Sequence, residues 1–388
     1  MNRFRDLLLS LLVAMVALSS CRKEEEIIPS SRVRVGVPGR PGKIKGFFLL
    51  NEANMGSNKA TLDYYDYTTA FYTRNIYAER NPNVVKELGD VGNDLQVHGS
   101  RLYAVINVSG LIEVMDVRTA KHIGKLSIPN CRYIAFKDGF AYVSSYAGPV
   151  KIDPNARLGY VAKVDTATLK VVAECPVGYQ PEELLIQGDK LYVANSGGYR
   201  APNYDKTISI IDLKTFTEEK QVDVAINLHR LQLDNYGKIW ASSRGDYKGV
   251  PSRLFVFDPK TEHVTNTLEV GCSNMALSGD SLFVYSSEWS YLTGKNTISY
   301  TVIDTKKQEV IDRNFIKDGT DKEIQLPYGL AINSEQGELY LTDAQDYVHP
   351  GQLHCYDLKT GRRKWSVKTG DIPAHIAFTT QPLHPLHH

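Results

Sequence analysis

The sequence has 388 residues, of which 42% are hydrophobic and 23% charged, and its formal net charge is +1. Nothing in this balance suggests the clustered basic surface that nucleic-acid binding requires, so no nucleic-acid partner is expected. After the first 20 residues, no apolar run is long enough to cross a membrane as a helix.

Residues 1–20 are predicted to be a lipoprotein signal peptide. Arg3 and Arg5 precede an apolar stretch at residues 7–18, which is too short for a stable membrane span. The stretch ends in Leu18-Ser19-Ser20-Cys21, which resembles a bacterial lipobox and implies cleavage before Cys21 and a lipid on its sulfur. Such multi-chain lipidation anchors a protein stably. An ordinary signal peptide with a chance cysteine is the alternative.

A short charged segment, residues 22–26, directly follows Cys21 and contains three glutamates. It resembles the surface-export signal of Bacteroidetes lipoproteins, which implies an outer-membrane protein exposed at the cell surface. A solvated tether is the alternative. Residues 27–45 are rich in Pro, Ser, Gly and Arg without hydrophobic periodicity, so residues 21–45 are predicted to be a lipidated cysteine followed by a flexible linker.

A repeat dominates the rest of the chain. An apolar strand pattern ending in aspartate occurs seven times at intervals of 46 to 53 residues. The seven aspartates are Asp66, Asp116, Asp165, Asp212, Asp258, Asp304 and Asp357. A second apolar strand precedes each of these strands. In six of the seven copies, a Gly turn typical of antiparallel hairpins comes directly before that second strand. We therefore predict an all-β, seven-bladed β-propeller with four antiparallel strands per blade over residues 46–380.

The end of the chain is predicted to close the ring. Blade one lacks a clear innermost strand, whereas residues 374–378 repeat the innermost pattern with no blade after them. Pairing between these two ends leaves no open sheet edge in the ring. Residues 381–388 are predicted to be a disordered tail.

Several residue types in the repeat are predicted to be structural. Thr follows six of the seven aspartates by three residues, so these carboxylates are expected to cap turns. Strand tyrosines are assigned to the packing between blades: Tyr103, Tyr142, Tyr192 and Tyr340. Four cysteines follow Cys21 without metal-ligand spacing, and free, mostly buried thiols are expected.

The two faces of the predicted ring differ in loop length. We call the face with the first-to-second and third-to-fourth strand hairpins the turn face, since its connections are short and uniform. The other is the loop face. It carries residues 51–60, 146–159, 195–206, 242–252, 286–296 and 343–352, and residues 313–325 are placed there too. Long loops on a rigid scaffold usually carry function.

The loop face offers aromatic, amide and charged side chains suited to a large, partly apolar ligand. The predicted ligand-binding residues are Asn51, Glu52, Asn107, Arg132, Tyr146, Glu182, Asn195, Tyr199, His229, Arg230, Arg244, Tyr247, Trp289, Tyr328, Asp343 and His375. No catalytic motif was found, so the protein is predicted not to be an enzyme and to need no cofactor or metal.

Two enzymatic alternatives remain open. Glu52, Asn107, Asn195 and Asp343 follow second strands and faintly resemble the metal site of propeller lactonases, where calcium would accept oxygen ligands. His229 and His375 start innermost strands, and an imidazole there is a candidate general base, as in propeller lyases. Either alternative would make the protein a metal-dependent hydrolase or a lyase.

A family resemblance covers essentially the whole predicted propeller. Residues 51–64, 142–146, 177–182, 192–199, 226–230 and 243–246 resemble Bacteroidetes YncE-like surface propellers, and within them the BtuG-type cobalamin-capturing lipoproteins. The resemblance implies capture of cobalamin (vitamin B12) or related corrinoids and delivery to a TonB-dependent outer-membrane transporter of the BtuB type. Aromatic faces fit the corrin ring, amides its side arms, and Arg132, Arg230 or Arg244 its phosphate. Another cargo, or a role as a protein-interaction scaffold, is the alternative.

Overall fold

The structure, a computed structural model, describes residues 30–40, 42–84, 87–290 and 295–385. Cys21 and the predicted signal peptide lie outside these residues, so the signal peptide and the lipid anchor remain predictions. Helix α1 (Ile76–Arg80) has five residues. None of the helices in the described ranges has the length and hydropathy of a membrane span.

The described strands form seven antiparallel sheets, and each sheet is one blade. Blade one contains β1 (Ser31–Arg34), β2 (Gly46–Asn51), β3 (Thr61–Asp66), β4 (Phe71–Arg74) and β29 (Pro373–Thr379). Blade two contains β5 (Gly92–His98), β6 (Arg101–Ile106), β7 (Leu111–Asp116) and β8 (His122–Ser127); blade three contains β9 (Cys131–Lys137), β10 (Phe140–Ser145), β11 (Tyr160–Asp165) and β12 (Lys170–Pro176). Blade four contains β13 (Pro181–Gln187), β14 (Lys190–Asn195), β15 (Thr207–Asp212) and β16 (Thr217–Asp223); blade five contains β17 (Leu228–Leu233), β18 (Ile239–Ser243), β19 (Arg253–Asp258) and β20 (His263–Leu268). Blade six contains β21 (Asn274–Ser278), β22 (Ser281–Ser290), β23 (Lys295–Asp304) and β24 (Glu309–Asp312); blade seven contains β25 (Pro327–Asn333), β26 (Glu338–Asp343), β27 (Pro350–Asp357) and β28 (Arg363–Asp371). The predicted seven-bladed propeller is confirmed.

The ring closes as predicted. Strand β29 pairs with β2 from Gly46↔Thr379 to Asn51↔Pro373 and supplies the innermost strand of blade one. The same strand contacts the innermost strands of blades two and seven, so the seven innermost strands form a continuous ring around the axis. Joining the two ends of the chain in one sheet removes the open edge that a linear array would leave.

The core lies between neighbouring blades. Trp240, Tyr103 and Tyr340 are among the largest side chains that are completely buried, and Tyr142 and Tyr192 are also buried, as predicted for the strand tyrosines. Seven hydrophobic clusters of the described residues each join two adjacent blades, such as Tyr103 of blade two and Ile134 of blade three. Because apolar side chains are buried between blades rather than within one sheet, the first and last blades must also pack together, and the repeat forms a closed ring.

The repeated aspartates cap turns on the turn face, as predicted. Asp165 accepts hydrogen bonds from the backbone N–H of Thr168 at 2.7 Å and from its hydroxyl at 2.9 Å. Asp357 and Thr360 repeat both contacts at 2.8 Å. These hydrogen bonds lower the pKa of the Asp165 carboxyl below its ordinary value. The aspartates are satisfied within their own turns.

Part of the predicted linker is folded onto the ring. Strand β1 (Ser31–Arg34) pairs with β4 and adds a fifth strand to blade one. Further along, the backbone N–H of Arg40 donates to Gln336 of blade seven at 2.9 Å, and Gln336 donates back to the carbonyl of Arg40 at 2.8 Å. All four β1 side chains are exposed, so the pairing depends on backbone groups, which composition does not reveal. The expectation of a flexible linker up to residue 45 therefore fails for the described residues 31–40 and 42–45.

The tail also differs from its prediction over its described part. Gln381 donates to the carbonyl of Gly99 at 2.9 Å, and Arg118 donates to Gln381 at 2.6 Å. Leu383 packs against the core cluster shared by blades one and two. The tail thus joins these two blades up to residue 385, and residues 386–388 lie outside the described part of the chain.

One connection lies away from its expected position. Residues 313–325, expected on the loop face, run along the edge of blade seven, where the backbone N–H of Lys317 donates to the carbonyl of Gly361 at 2.9 Å. Gly361 belongs to the hairpin between β27 and β28 on the turn face. The segment therefore mostly covers the edge of blade seven instead of extending the loop face. The four cysteines at 131, 175, 272 and 355 are free and buried, as predicted.

Candidate functional site

A cavity of about 1060 Å³ opens on the loop face around the axis of the ring. We call it the rim cavity. Residues from all seven blades line it, and they come from the loops after the second strands and from the starts of the innermost strands. The cavity thus lies on the face that the sequence predicts to carry the binding site.

Most of the predicted ligand-binding residues line this cavity. They are Glu52, Asn107, Arg132, Tyr199, His229, Arg230, Arg244, Tyr247, Trp289, Tyr328 and His375. The remaining five do not line it: Asn51, Tyr146, Glu182, Asn195 and Asp343. These five are buried, and they support the cavity from behind.

Asn51 and Asn195 hold equivalent structural positions. Each is the last residue of a second strand, and each donates from Nδ2 to a threonine of the third strand, Thr61 at 3.1 Å and Thr207 at 3.0 Å. A Cβ on the adjacent Gly178 would come within 2.5 Å of Asn195. Both side chains therefore bond within their own sheet, and the structure does not bring these two predicted ligand-binding residues to the cavity surface.

Asp343 is likewise structural. Its carboxylate accepts the backbone N–H groups of Gln325, Leu326 and Gln345 at 3.1, 2.9 and 2.8 Å. It is the final residue of β26, whereas Glu52 lies one residue after β2. Successive strand residues point to opposite faces. This one-residue difference in register therefore directs the Asp343 side chain towards backbone N–H groups of its own blade and the Glu52 side chain into the cavity.

The four residues considered as a metal ring are therefore not brought together, since Asn195 and Asp343 point away from the cavity. Among the described residues, no three His, Cys, Asp or Glu side chains are grouped as metal ligands.

Glu182 bridges two arginines behind the cavity wall. Its Oε2 accepts from Nε and Nη2 of Arg132 at 3.1 and 2.9 Å, and its Oε1 accepts from Nη1 of Arg244 at 3.0 Å. The hydroxyl of Tyr146 also donates to Oε1. Burial alone would raise the pKa of the Glu182 carboxyl, but the two arginines outweigh it and lower the pKa below its ordinary value. Blades three, four and five are joined by this one carboxylate.

A second polar group lies beside it. The hydroxyl of Tyr133 lies 2.9 Å from Nε2 of His229 and accepts from Nη1 of Arg230 at 3.2 Å, while Nε of Arg230 lies 3.4 Å from Glu183. Burial, reinforced by the nearby positive charges of Arg244 and other arginines, lowers the pKa of His229 well below its ordinary value, so its ring is neutral at pH 7.

His229 is poorly placed for the general-base alternative. Its Nε2 is engaged with Tyr133, and its Nδ1 is buried, with no hydrogen-bond partner among the described residues. Neither nitrogen is open to a ligand.

The opposite wall is acidic. Glu52 of blade one lies 2.9 Å from Nε2 of His375 through Oε1 and accepts from the hydroxyl of Tyr328 at 2.7 Å through Oε2. Glu288 of blade six also lines the cavity on this side. The cavity thus has arginines toward blades three to five and carboxylates toward blades one and six.

Aromatic side chains form the upper walls. Tyr247, Trp289 and Tyr347 line the cavity with 57%, 53% and 42% of their surface exposed. Trp289 lies on a hairpin extension, because β22 and β23 continue their pairing through the region expected to be a loop. Tyr328 and Tyr347 meet edge to face, with ring centroids 6.0 Å apart. Several exposed aromatic side chains thus lie around one cavity, an arrangement typical of ligand-binding surfaces.

The sequence analysis missed several lining residues, among them Tyr133 and Asn93. Both stand near the start of an innermost strand, the position that also supplies Arg132, His229 and His375. Aligning the starts of these strands across the blades would have identified them.

The comparisons with known proteins agree with the fold. The family model described as Domain of unknown function (DUF5074) matches residues 45–379. No curated protein matches the chain. Hydrazine synthase from Kuenenia stuttgartiensis is 18% identical, with a TM-score of 0.57, over 69% of this chain and 77% of that chain. Apo AztD from Citrobacter koseri is 10% identical, with a TM-score of 0.52, over 87% of this chain and 98% of that chain. At these identities the likeness concerns the fold alone.

Proposed function

The chain belongs to the DUF5074 family, and from the geometry of its rim cavity we propose that it is a binding protein, not an enzyme, that captures a corrinoid such as cobalamin. The single observation that carries the proposal is the cavity itself. Its volume of about 1060 Å³ lies just above the roughly 300–1,000 Å³ typical of small-molecule sites. A ligand larger than an ordinary metabolite is therefore favoured.

The lining supports a corrinoid among such ligands. Tyr247, Trp289 and Tyr347 offer faces for a broad ring, and Asn93, Asn107 and Asn274 offer polar groups for amide arms. The ion pairs behind the walls hold the site in place before a ligand arrives. A site that is already ordered spends less free energy on binding, which favours capture at low ligand concentration.

Delivery to a partner is the second part of the proposal. The lipobox-like sequence supports anchoring through a lipid on Cys21, and the resemblance to BtuG-type proteins supports transfer to a BtuB-type TonB-dependent transporter in the outer membrane. The outer loops of the same face expose apolar side chains, with Ile152, Val348 and Met55 exposed by 73%, 69% and 63%. Exposed apolar residues that ring a ligand site are consistent with a docking surface for a protein partner.

Equilibrium titration of the purified protein with cyanocobalamin tests the proposal. We expect a Kd below about 1 μM, equivalent to about −8 kcal/mol, followed through the visible absorbance of the corrin. The absence of binding at micromolar ligand would refute corrinoid capture. Binding of the transporter without dependence on corrinoid would instead favour the scaffold alternative.

A further inference from the structure

The three arginines of the rim cavity differ in how much of their hydrogen-bonding capacity is engaged. Arg132 directs both Nε and Nη2 to Glu182, and only 12% of its side chain is exposed. Arg244 directs Nη1 alone to Glu182 and is 26% exposed. Since an arginine has five N–H donors, Arg244 keeps most of its fork available to a ligand.

Arg230 is the second available guanidinium. It donates from Nη1 to Tyr133 and pairs loosely with Glu183 at 3.4 Å through Nε, and 16% of its side chain is exposed. It belongs to blade five, as Arg244 does. The two arginines therefore face the cavity from the same side, and Lys248 of the same loop adds a third positive charge there.

Both guanidinium groups are held in place from behind. Glu182 is completely buried, does not line the cavity, and has both oxygens engaged. Glu183 does not line the cavity either, and its Oε2 accepts the backbone N–H of Leu231 at 2.7 Å. The carboxylates thus lie behind the arginines, and the surface offered to a ligand consists of N–H donors.

The opposite side of the cavity would repel an anion. Glu52 and Glu288 line the opposite side, and Glu52 is already shared by His375 and Tyr328. A ligand with one negative group can then bind in only one orientation, with that group toward blade five. Planar guanidinium forks suit phosphate oxygens in particular, since they can donate two parallel hydrogen bonds.

We propose that Arg244 and Arg230 form an oxyanion subsite, and that it recognises a phosphodiester carried by the ligand, with Glu182 and Glu183 as positioning residues. This inference rests on the proposed function, because a complete cobalamin contains one phosphodiester whereas cobinamide has the same ring and amide arms without it. The subsite selects complete corrinoids over truncated ones.

The test compares cyanocobalamin with dicyanocobinamide on the wild-type protein and on Arg244→Gln. We expect the wild-type protein to prefer cyanocobalamin, and Arg244→Gln to weaken cyanocobalamin binding about 10- to 100-fold, the loss expected for hydrogen bonds between charged groups. Dicyanocobinamide affinity should stay unchanged. Arg244→Lys, which keeps the charge, should lose less, and the preference of the wild-type protein should decrease with added salt.

Arg244→Gln is chosen because Glu182 still keeps Arg132 and Tyr146 as partners. Arg253→Gln is the matched control, since Arg253, at the start of β19, pairs with the exposed Glu269 at 2.8 Å and does not line the cavity. It should bind both corrinoids as the wild-type protein does. Equal affinity of the wild-type protein for the two corrinoids, or an equal loss for both in Arg244→Gln, would overturn the subsite.

If neither corrinoid binds the wild-type protein, the proposed function fails while the subsite can still be measured. Isothermal titration of the wild-type protein and of Arg244→Gln with inorganic pyrophosphate then tests whether the subsite binds an oxyanion. Binding by the wild-type protein that is lost in Arg244→Gln supports the subsite, and absence of binding, or equal binding by both, refutes it.

Discussion

The two faces of the propeller are built from the same strands, yet they use polar residues in opposite ways. On the turn face, Asp165 is satisfied by Thr168 three residues away, and other blades repeat this turn. On the loop face, Glu182 is satisfied by Arg132 and Arg244, which are 50 and 62 residues away in the sequence. Residues that repeat from blade to blade therefore form the scaffold, whereas residues that differ between blades form the site.

Removing the Glu182 charge should have the largest effect. In Glu182→Gln, Arg132 and Arg244 lose their buried counter-ion, which should lower the free energy of unfolding by about 3–5 kcal/mol. Denaturant unfolding followed by circular dichroism measures this. Glu262→Gln on the turn face removes only an exposed pair with Lys220 and should change stability by at most about 1 kcal/mol. Equal losses in the two variants would remove the distinction between the faces.

The stabilisation that the Glu182 carboxylate provides should also depend on pH, which a comparison of the wild-type protein with Glu182→Gln can measure. Because Arg132 and Arg244 outweigh the effect of burial, the pKa of Glu182 in the folded protein lies below its unfolded value of about 4.3. Its contribution to stability is therefore complete above that value and is lost as the pH falls through the folded pKa. The difference in unfolding free energy between wild type and Glu182→Gln should be constant above about pH 4.3 and should narrow as the pH falls further. A difference that stays constant would contradict the ion pairing.

Truncating an aromatic wall residue should affect binding rather than folding. We expect Tyr247→Ala to weaken cyanocobalamin binding by about 2 kcal/mol, or about 30-fold, because it removes ring contact in the cavity. Tyr236→Ala is the matched control: Tyr236 is also exposed, by 42%, but lies in a hairpin of the turn face. Calorimetric titration of both variants gives the comparison. An equal effect at the two tyrosines would place the ligand elsewhere.

Truncating Asn195, whose amide bonds within its sheet, should reduce stability and leave ligand binding unchanged, the reverse of the result expected for Tyr247→Ala. Asn195→Ala removes hydrogen bonds to Thr207 and Ser209, at 3.0 and 2.8 Å, and should cost about 1–2 kcal/mol of stability. Its ligand affinity should match the wild type, since Asn195 does not line the cavity. Asn235→Ala in an exposed turn serves as the control and should be less destabilised. A large loss of affinity in Asn195→Ala would restore it as a ligand contact.

The smallest effect is expected for the repeated turns. Thr168→Ala removes one exposed hydroxyl from the Asp165 turn, and surface changes of this kind usually alter stability by about 0.5 kcal/mol or less. Thermal unfolding and ligand titration should both be close to the wild type. A change in ligand affinity would show that the turn face is coupled to the cavity.

Much of the architecture was readable from the sequence because it depends on local signals. Strand period, Gly turns and the aspartate–threonine spacing recur about every 46 to 53 residues, and they predict the number of blades and the strand that closes the ring. The loop face could also be identified, since loop length is a property of the sequence itself. The strand at Ser31–Arg34 escaped prediction because its pairing depends on backbone groups rather than on side-chain pattern.

The cavity wall depended on information that the sequence does not carry locally. Glu52 and Asp343 appear alike as acidic residues at the end of a second strand, yet a one-residue difference in register points the first into the cavity and the second at backbone N–H groups. The pairing of Glu182 with Arg132 and Arg244 exists only because the ring brings three blades together around its axis. Repetition along the chain thus determined the scaffold, whereas side-chain direction and contacts between distant blades, set only in the closed ring, decided which residues form the site.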